Sequence, residues 1–159
     1  MAVFSKNTLT QVSGFSNAII AGELVYNQQT FWNITFEANG SPIDLTGATI
    51  NAQILRRLLS NVIDTRNGLS FDINDYVPTP SPITLTITNQ VNTAGQCTLV
   101  IDSAAWGLIA GDSQLDIAAN NPVGYSGRIK VSFPASGGTP ADDQIIFLLF
   151  LVRSDGVIN

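Results

Sequence analysis

The sequence predicts an all-β chain, a single antiparallel β-sandwich preceded by an extended amino-terminal arm. Three observations carry that expectation. Trp32, Ile34 and Phe36 alternate with Asn33, Thr35 and Glu37, and Ala48, Ile50, Ala52 and Ile54 alternate with Thr49, Asn51 and Gln53. A period of two marks a strand with one buried face. Clusters of Gly, Pro, Asn and Asp interrupt such runs at short intervals, giving seven or eight short strands. Only residues 102–109 carry a helix start signal with a glycine close behind it. The 159 residues, 45% of them apolar, suit one domain with a sizeable core.

The elements follow in order. In residues 1–28, Val3, Phe4, Leu9, Val12, Phe15, Ile19, Ile20, Leu24 and Val25 scatter among small polar residues with no sustained period. Such a segment makes no core of its own, yet it is too apolar for a solvated tail. Two readings stay open: an arm whose anchors clasp a partner subunit, or a first strand with an irregular lead-in packed on its own chain. Residues 29–159 form the sandwich domain. It opens with a half-buried hairpin over 30–54, turned by Asn39-Gly40, which supplies the positive φ a tight turn needs. Pro42, having no N–H, fits an edge or a turn.

Leu69, Phe71 and Ile73 predict a short strand. Pro78, Pro80 and Pro82 then make a stiff loop that cannot pair. Ile83, Leu85 and Ile87 alternate with three threonines, and Cys97, Leu99 and Ile101 point inward from the next strand. Asp102 or Ser103 caps the one helical turn, and Gly107 or Gly111 ends it. Trp106 plugs the end of the sandwich. Strands are expected over 113–118 and over 127–133, where Ile129, Val131 and Phe133 point inward. Between them 120–127 reads as a turn-rich loop, and 134–143 as another loop.

Residues 145–152 break the alternation. Ile145, Phe147, Leu149 and Leu151 lie on one side, and Ile146, Leu148, Phe150 and Val152 on the other, all apolar. A strand dry on both faces needs a cover on both. The cover is either the amino-terminal arm or a neighbouring subunit, and a charge on either face should be severe. Phe4, Phe15, Ile19, Ile20, Ile146, Leu148 and Phe150 are therefore the expected partner-interface residues.

The step Asp44-Leu45-Thr46-Gly47-Ala48-Thr49-Ile50, following a strand and a polar glycine turn, resembles the opening of the immunoglobulin-like β-sandwich domains of tailed-phage virions, such as the amino-terminal domain of baseplate upper proteins. The likeness is strongest over 34–54. It implies an immunoglobulin-like fold and a non-enzymatic virion component, made in the host cytoplasm, that binds capsid, tail or baseplate subunits and forms a homo-oligomer. Baseplate upper proteins carry such a domain ahead of a long receptor or fibre portion. No fibre sequence follows here, so a capsid decoration protein is the leading expectation, with a baseplate, neck or fibre-attachment adaptor as the alternative.

Composition narrows the chemistry. Charged residues are only 12% of the chain, about half the usual share, so Thr, Ser, Asn and Gln supply the polar surface. That suits a protein packed against neighbours. The net charge is −5, and the seven basic residues are dispersed, whereas phosphate tracking needs clustered cations; nucleic-acid binding is not expected. The chain has no histidine and one cysteine, Cys97. It thus lacks the commonest general base and metal ligand, and Cys97 reads as a buried structural thiol. Asp72, Asp75, Asp112, Asp116, Asp142 and Asp143 are too dispersed for a calcium loop. No enzyme activity, cofactor or metal is expected. Residues 145–152 are far short of a membrane-spanning helix, and no signal peptide is visible. A carbohydrate-binding module, with Tyr76, Trp106 or Tyr125 as stacking platforms, is the alternative of another class.

Overall fold

The period-two segments become strands. A computed structural model describes residues 2–4, 18–38, 40–57, 81–112, 115, 122–136, 138 and 140–154. Nine strands lie among them: β1 (Ala2–Phe4), β2 (Ala18–Val25), β3 (Thr30–Ala38), β4 (Ser41–Pro42), β5 (Thr49–Arg57), β6 (Ile83–Val91), β7 (Gln96–Ile101), β8 (Val123–Phe133) and β9 (Asp142–Arg153). A helical turn, Asn92–Ala94, links β6 to β7, and helix α1 (Ser103–Ala110) follows β7. The expectations over 69–73 and 113–118 fall outside the described residues, save Leu115, which is buried in the core.

The sheet order is β1-β3-β7-β6-β5-β8-β9-β2, with β4 attached to β3. This one sheet is curled upon itself. Trp32 of β3 stacks on Phe150 of β9 with ring centroids 5.0 Å apart and planes 12° apart. Five strand steps of about 4.8 Å would hold the two strands roughly 24 Å apart in a flat sheet. The bend falls at β6, which pairs with β5 through Ile83, Thr84 and Leu85 and with β7 from Thr86 onward. One half, β1-β3-β7-β6, therefore faces the other, β5-β8-β9-β2. The inward sets meet between them: Trp32, Ile34 and Phe36; Ala52 and Ile54; Cys97, Leu99 and Ile101; Ile129 and Val131; Ile146, Leu148, Phe150 and Val152.

Four expectations are corrected. β3 and β5 do not form a hairpin, because β3 pairs with β1, β4 and β7 whereas β5 pairs with β6 and β8. The turn after Ala38 closes only onto the two-residue β4; Leu45 then inserts into the core and sends the chain to the other half. The sheet is mixed rather than antiparallel, since β2 runs parallel to β9 in unbroken register from Ala18↔Ile146 to Val25↔Arg153. Residues 18–25 are therefore a strand of the sheet, paired with the chain's own β9. Finally, β8 begins at Val123 instead of 127, and Gly127 permits a close approach to β5. A methyl group on Gly127 would run into the Gln53 carbonyl oxygen and lie 2.7 Å from Ile54 Cα.

Each end of the curled sheet has a plug. At one, Leu45 is fully buried, and its N–H donates to Asn92 O at 3.0 Å. Gly95 closes the same end at φ 61, where a Cβ would stand 2.6 Å from Phe36 O. At the other, Trp106 of α1 is buried, donates from Nε1 to Gln28 O at 3.1 Å and meets Tyr26 edge-on. Asp102 is the cap of α1, its Oδ1 accepting from Ala105 N at 2.9 Å, and Gly111 rather than Gly107 follows the last turn.

Candidate functional site

The residues expected to form a partner interface are mostly the chain's own core. Ile20, Ile146, Leu148 and Phe150 belong to the central apolar cluster, and Ile19 is buried on the opposite side of β2. None of the five offers an exposed surface, which corrects that assignment; the cause is β2, which brings Ile20 into the core beside β9. Phe4 lies in β1, paired with β3 at Ile34. Phe15 lies outside the described residues. What does reach the surface on β9 is the other set: Ile145, Phe147 and Leu149 are half-buried, and only Leu151 of that face is buried.

The aromatic platforms of a carbohydrate module fare no better. Trp106 is 4% exposed and Tyr125 is 2% exposed, so neither ring can stack on a sugar. Tyr76 lies outside the described residues.

The Asp44-Leu45-Thr46-Gly47 step is a folding device. Asp44 Oδ1 accepts from Thr46 N at 2.9 Å and from Thr46 Oγ1 at 2.6 Å, an aspartate turn that presents Leu45 inward. Those two bonds, the hydroxyl first, hold the Asp44 carboxyl below its ordinary value.

The densest polar arrangement joins Arg56, Asp112 and Tyr125. The Ala52, Ile54, Arg56 alternation points Arg56 inward, and Arg56 pairs with Tyr125 across β5 and β8. Its Nε donates to Asp112 Oδ2, its Nη1 donates to Gly124 O at 3.3 Å, and its guanidinium carbon lies 5.8 Å from the Tyr125 ring centre. Tyr125 OH donates to the same Asp112 oxygen at 3.2 Å. Burial first, and then the Asp112 charge, push the Tyr125 hydroxyl well above its ordinary range, so the phenol keeps its proton. Next to this cluster, buried Arg57 donates from Nε to Ser126 Oγ. The arrangement ties the exit of α1 to β5 and β8. Composition alone missed it, but the period did not conceal it: an arginine on the inward set of a strand requires a carboxylate, and Asp112 sits just beyond the helix.

Cys97 is buried beside Leu99, as expected, and burial lifts its thiol from 9.0 to about 11. A raised value in the folded state gives stability that is full below the unfolded value and lost as the pH climbs through the folded one. The midpoint of urea unfolding should therefore fall between pH 9.0 and about 11 more steeply in the wild type than in Cys97→Ala. The difference between the two proteins isolates the thiol from every other titrating group.

Among the described residues no group of three or more Cys, Asp or Glu side chains is placed to hold a metal ion, and no helix is long and apolar enough to cross a membrane. No protein-family model matches the chain, and no curated protein matches it in sequence.

Proposed function

We propose that this chain is a non-enzymatic structural subunit of a tailed-phage virion, built on an immunoglobulin-like sandwich and serving as a capsid decoration protein. The observation that carries the reading is the strand order. Read as A, B, E and D, the half β1-β3-β7-β6 matches one sheet of an immunoglobulin domain; β5, β8 and β9 match C, F and G, and β2 extends the second sheet beyond G. The Asp44-Leu45-Thr46-Gly47 step then sits at the crossing from B to C, between two strands near the start of the domain, as in the resemblance.

The surface supports the same reading. The outer face of β3, β7 and β6 carries Asn33, Thr35, Thr86, Thr88, Gln96 and Thr98, with Glu37 the one charged residue of the β3 set. Thr98 Oγ1 donates to Asn33 Oδ1 at 3.0 Å, which stiffens the middle of this face. A face with so little charge packs against a neighbouring subunit at small desolvation cost. Mass spectrometry of virions from the phage that encodes the chain, separated into heads and tails, tests the proposal. The chain is expected in the heads. Recovery in tails assigns it to an adaptor instead, and absence from both fractions overturns the virion reading.

A further inference from the structure

Among the described residues β2 has one strand neighbour, β9, and ends the sheet. An edge strand presents a row of N–H and C=O groups to any strand that can reach it, and soluble proteins guard such edges with lysine, proline, a bulge or short length. β2 has none of these. It is eight residues long, AIIAGELV, and its register with β9 runs without a bulge. Its one charge, Glu23, is met by Arg153 within the chain, so it opposes no incoming strand. On the outer face of the edge, half-buried Ala21 lies beside half-buried Leu149, and buried Ile19 lies beside half-buried Phe147.

We propose that β2 pairs antiparallel with β2 of a second copy across a two-fold axis, joining the two sheets into one. Directly opposed residues of an antiparallel pair share a face, so the axis passes through a residue rather than between two. With Gly22 on the axis, Ile20 meets the copy's Leu24, Ile19 meets Val25 and Ala21 meets Glu23. With Ala21 on the axis, Ile19 meets Glu23 and Ile20 meets Gly22. In neither register do the two Glu23 carboxylates oppose each other, and inward residues meet inward ones throughout. The strand is thus complementary to itself, the condition for a closed two-fold dimer. The inference stands on the edge itself and holds whether or not the chain is a virion subunit.

Sedimentation of the full chain at micromolar concentration should give twice the 16.9 kDa chain mass; a monomer overturns the proposal. Ala21→Lys with Glu23→Lys places two cations on the edge, which repel their symmetry mates in either register, and should yield a monomer with unchanged circular dichroism. Persistence of the dimer in that variant overturns β2 as the interface. Hydrogen exchange on the wild type decides the matter even if the variant fails to fold. A strand directs the amides of alternate residues to opposite neighbours, so slow exchange along all of β2 supports the pairing. Slow amides alternating with fast ones overturn it.

Discussion

Leu148→Asp should abolish folding, whereas Phe147→Asp should leave a folded protein. The two residues are consecutive on β9 and both apolar, and an apolar run on both faces of a strand gives no reason to separate them. Burial separates them. Leu148 is fully buried, in register with Ile20 and Gly127, so an aspartate there has no water and no cation to meet. Its cost is more than about 4 kcal/mol, a large share of the stability of a domain this size. Phe147 is half-buried on the outer face, where its β8 neighbour is the exposed Arg128. A carboxylate there stays hydrated and can approach the guanidinium, so the cost is about 1 kcal/mol. Thermal melts followed by circular dichroism distinguish the two. Equal and severe loss would mean that the outer face is as closed as the core.

Asp112→Ala should cost about 3 kcal/mol or more, because it leaves the Arg56 guanidinium buried with its carboxylate contact gone and removes the acceptor of Tyr125 OH. Asp112→Asn keeps an acceptor for Tyr125 but not the charge, and its loss should be smaller. Replacing both partners, Arg56→Met with Asp112→Leu, should recover most of the loss, since a matched apolar pair is often as stable as a buried ion pair. Urea unfolding of the three variants measures the differences. A near-silent Asp112→Ala would mean that the contact carries no stability, and the link from α1 to β5 and β8 would have to come from Trp106 and Ile109 alone.

Much of the fold was legible because period two is a local signal. Trp32, Ile34 and Phe36, Ala52 and Ile54, and Ile129 and Val131 all point where alternation places them. So did the cap of α1, since an aspartate before a short apolar run satisfies free backbone donors whatever the tertiary context. What failed was pairing. Nothing local in Asn39-Gly40 reveals that the turn serves a two-residue β4 instead of β5. The parallel partnership of Ala18–Val25 with β9 joins distant parts of the chain, and Gly22 and Glu23 blur the alternation of that strand. The interface assignment failed for the same reason at Ile20, Ile146, Leu148 and Phe150, which meet in one core across the β2–β9 pairing. The Arg56 cluster could have been anticipated from alternation, but which carboxylate it meets could not.

The partnership of β2 with β9 also governs when the chain can fold. Ile20 and Leu24 leave the ribosome early, and the strand they pair with is made only after residues 26–141. At about 5–20 residues per second that interval is on the order of ten seconds, during which an eight-residue apolar strand has no native neighbour. Such a nascent chain cannot complete its sheet step by step as it emerges; the last strand must arrive before the second strand has a place. Completion of the sheet is accordingly a late event, and the sequence separation of β2 from β9 raises contact order and slows folding. Ribosomes stalled before β9 should carry chains that proteases cut throughout residues 18–25, and full-length chains should become resistant there only after release.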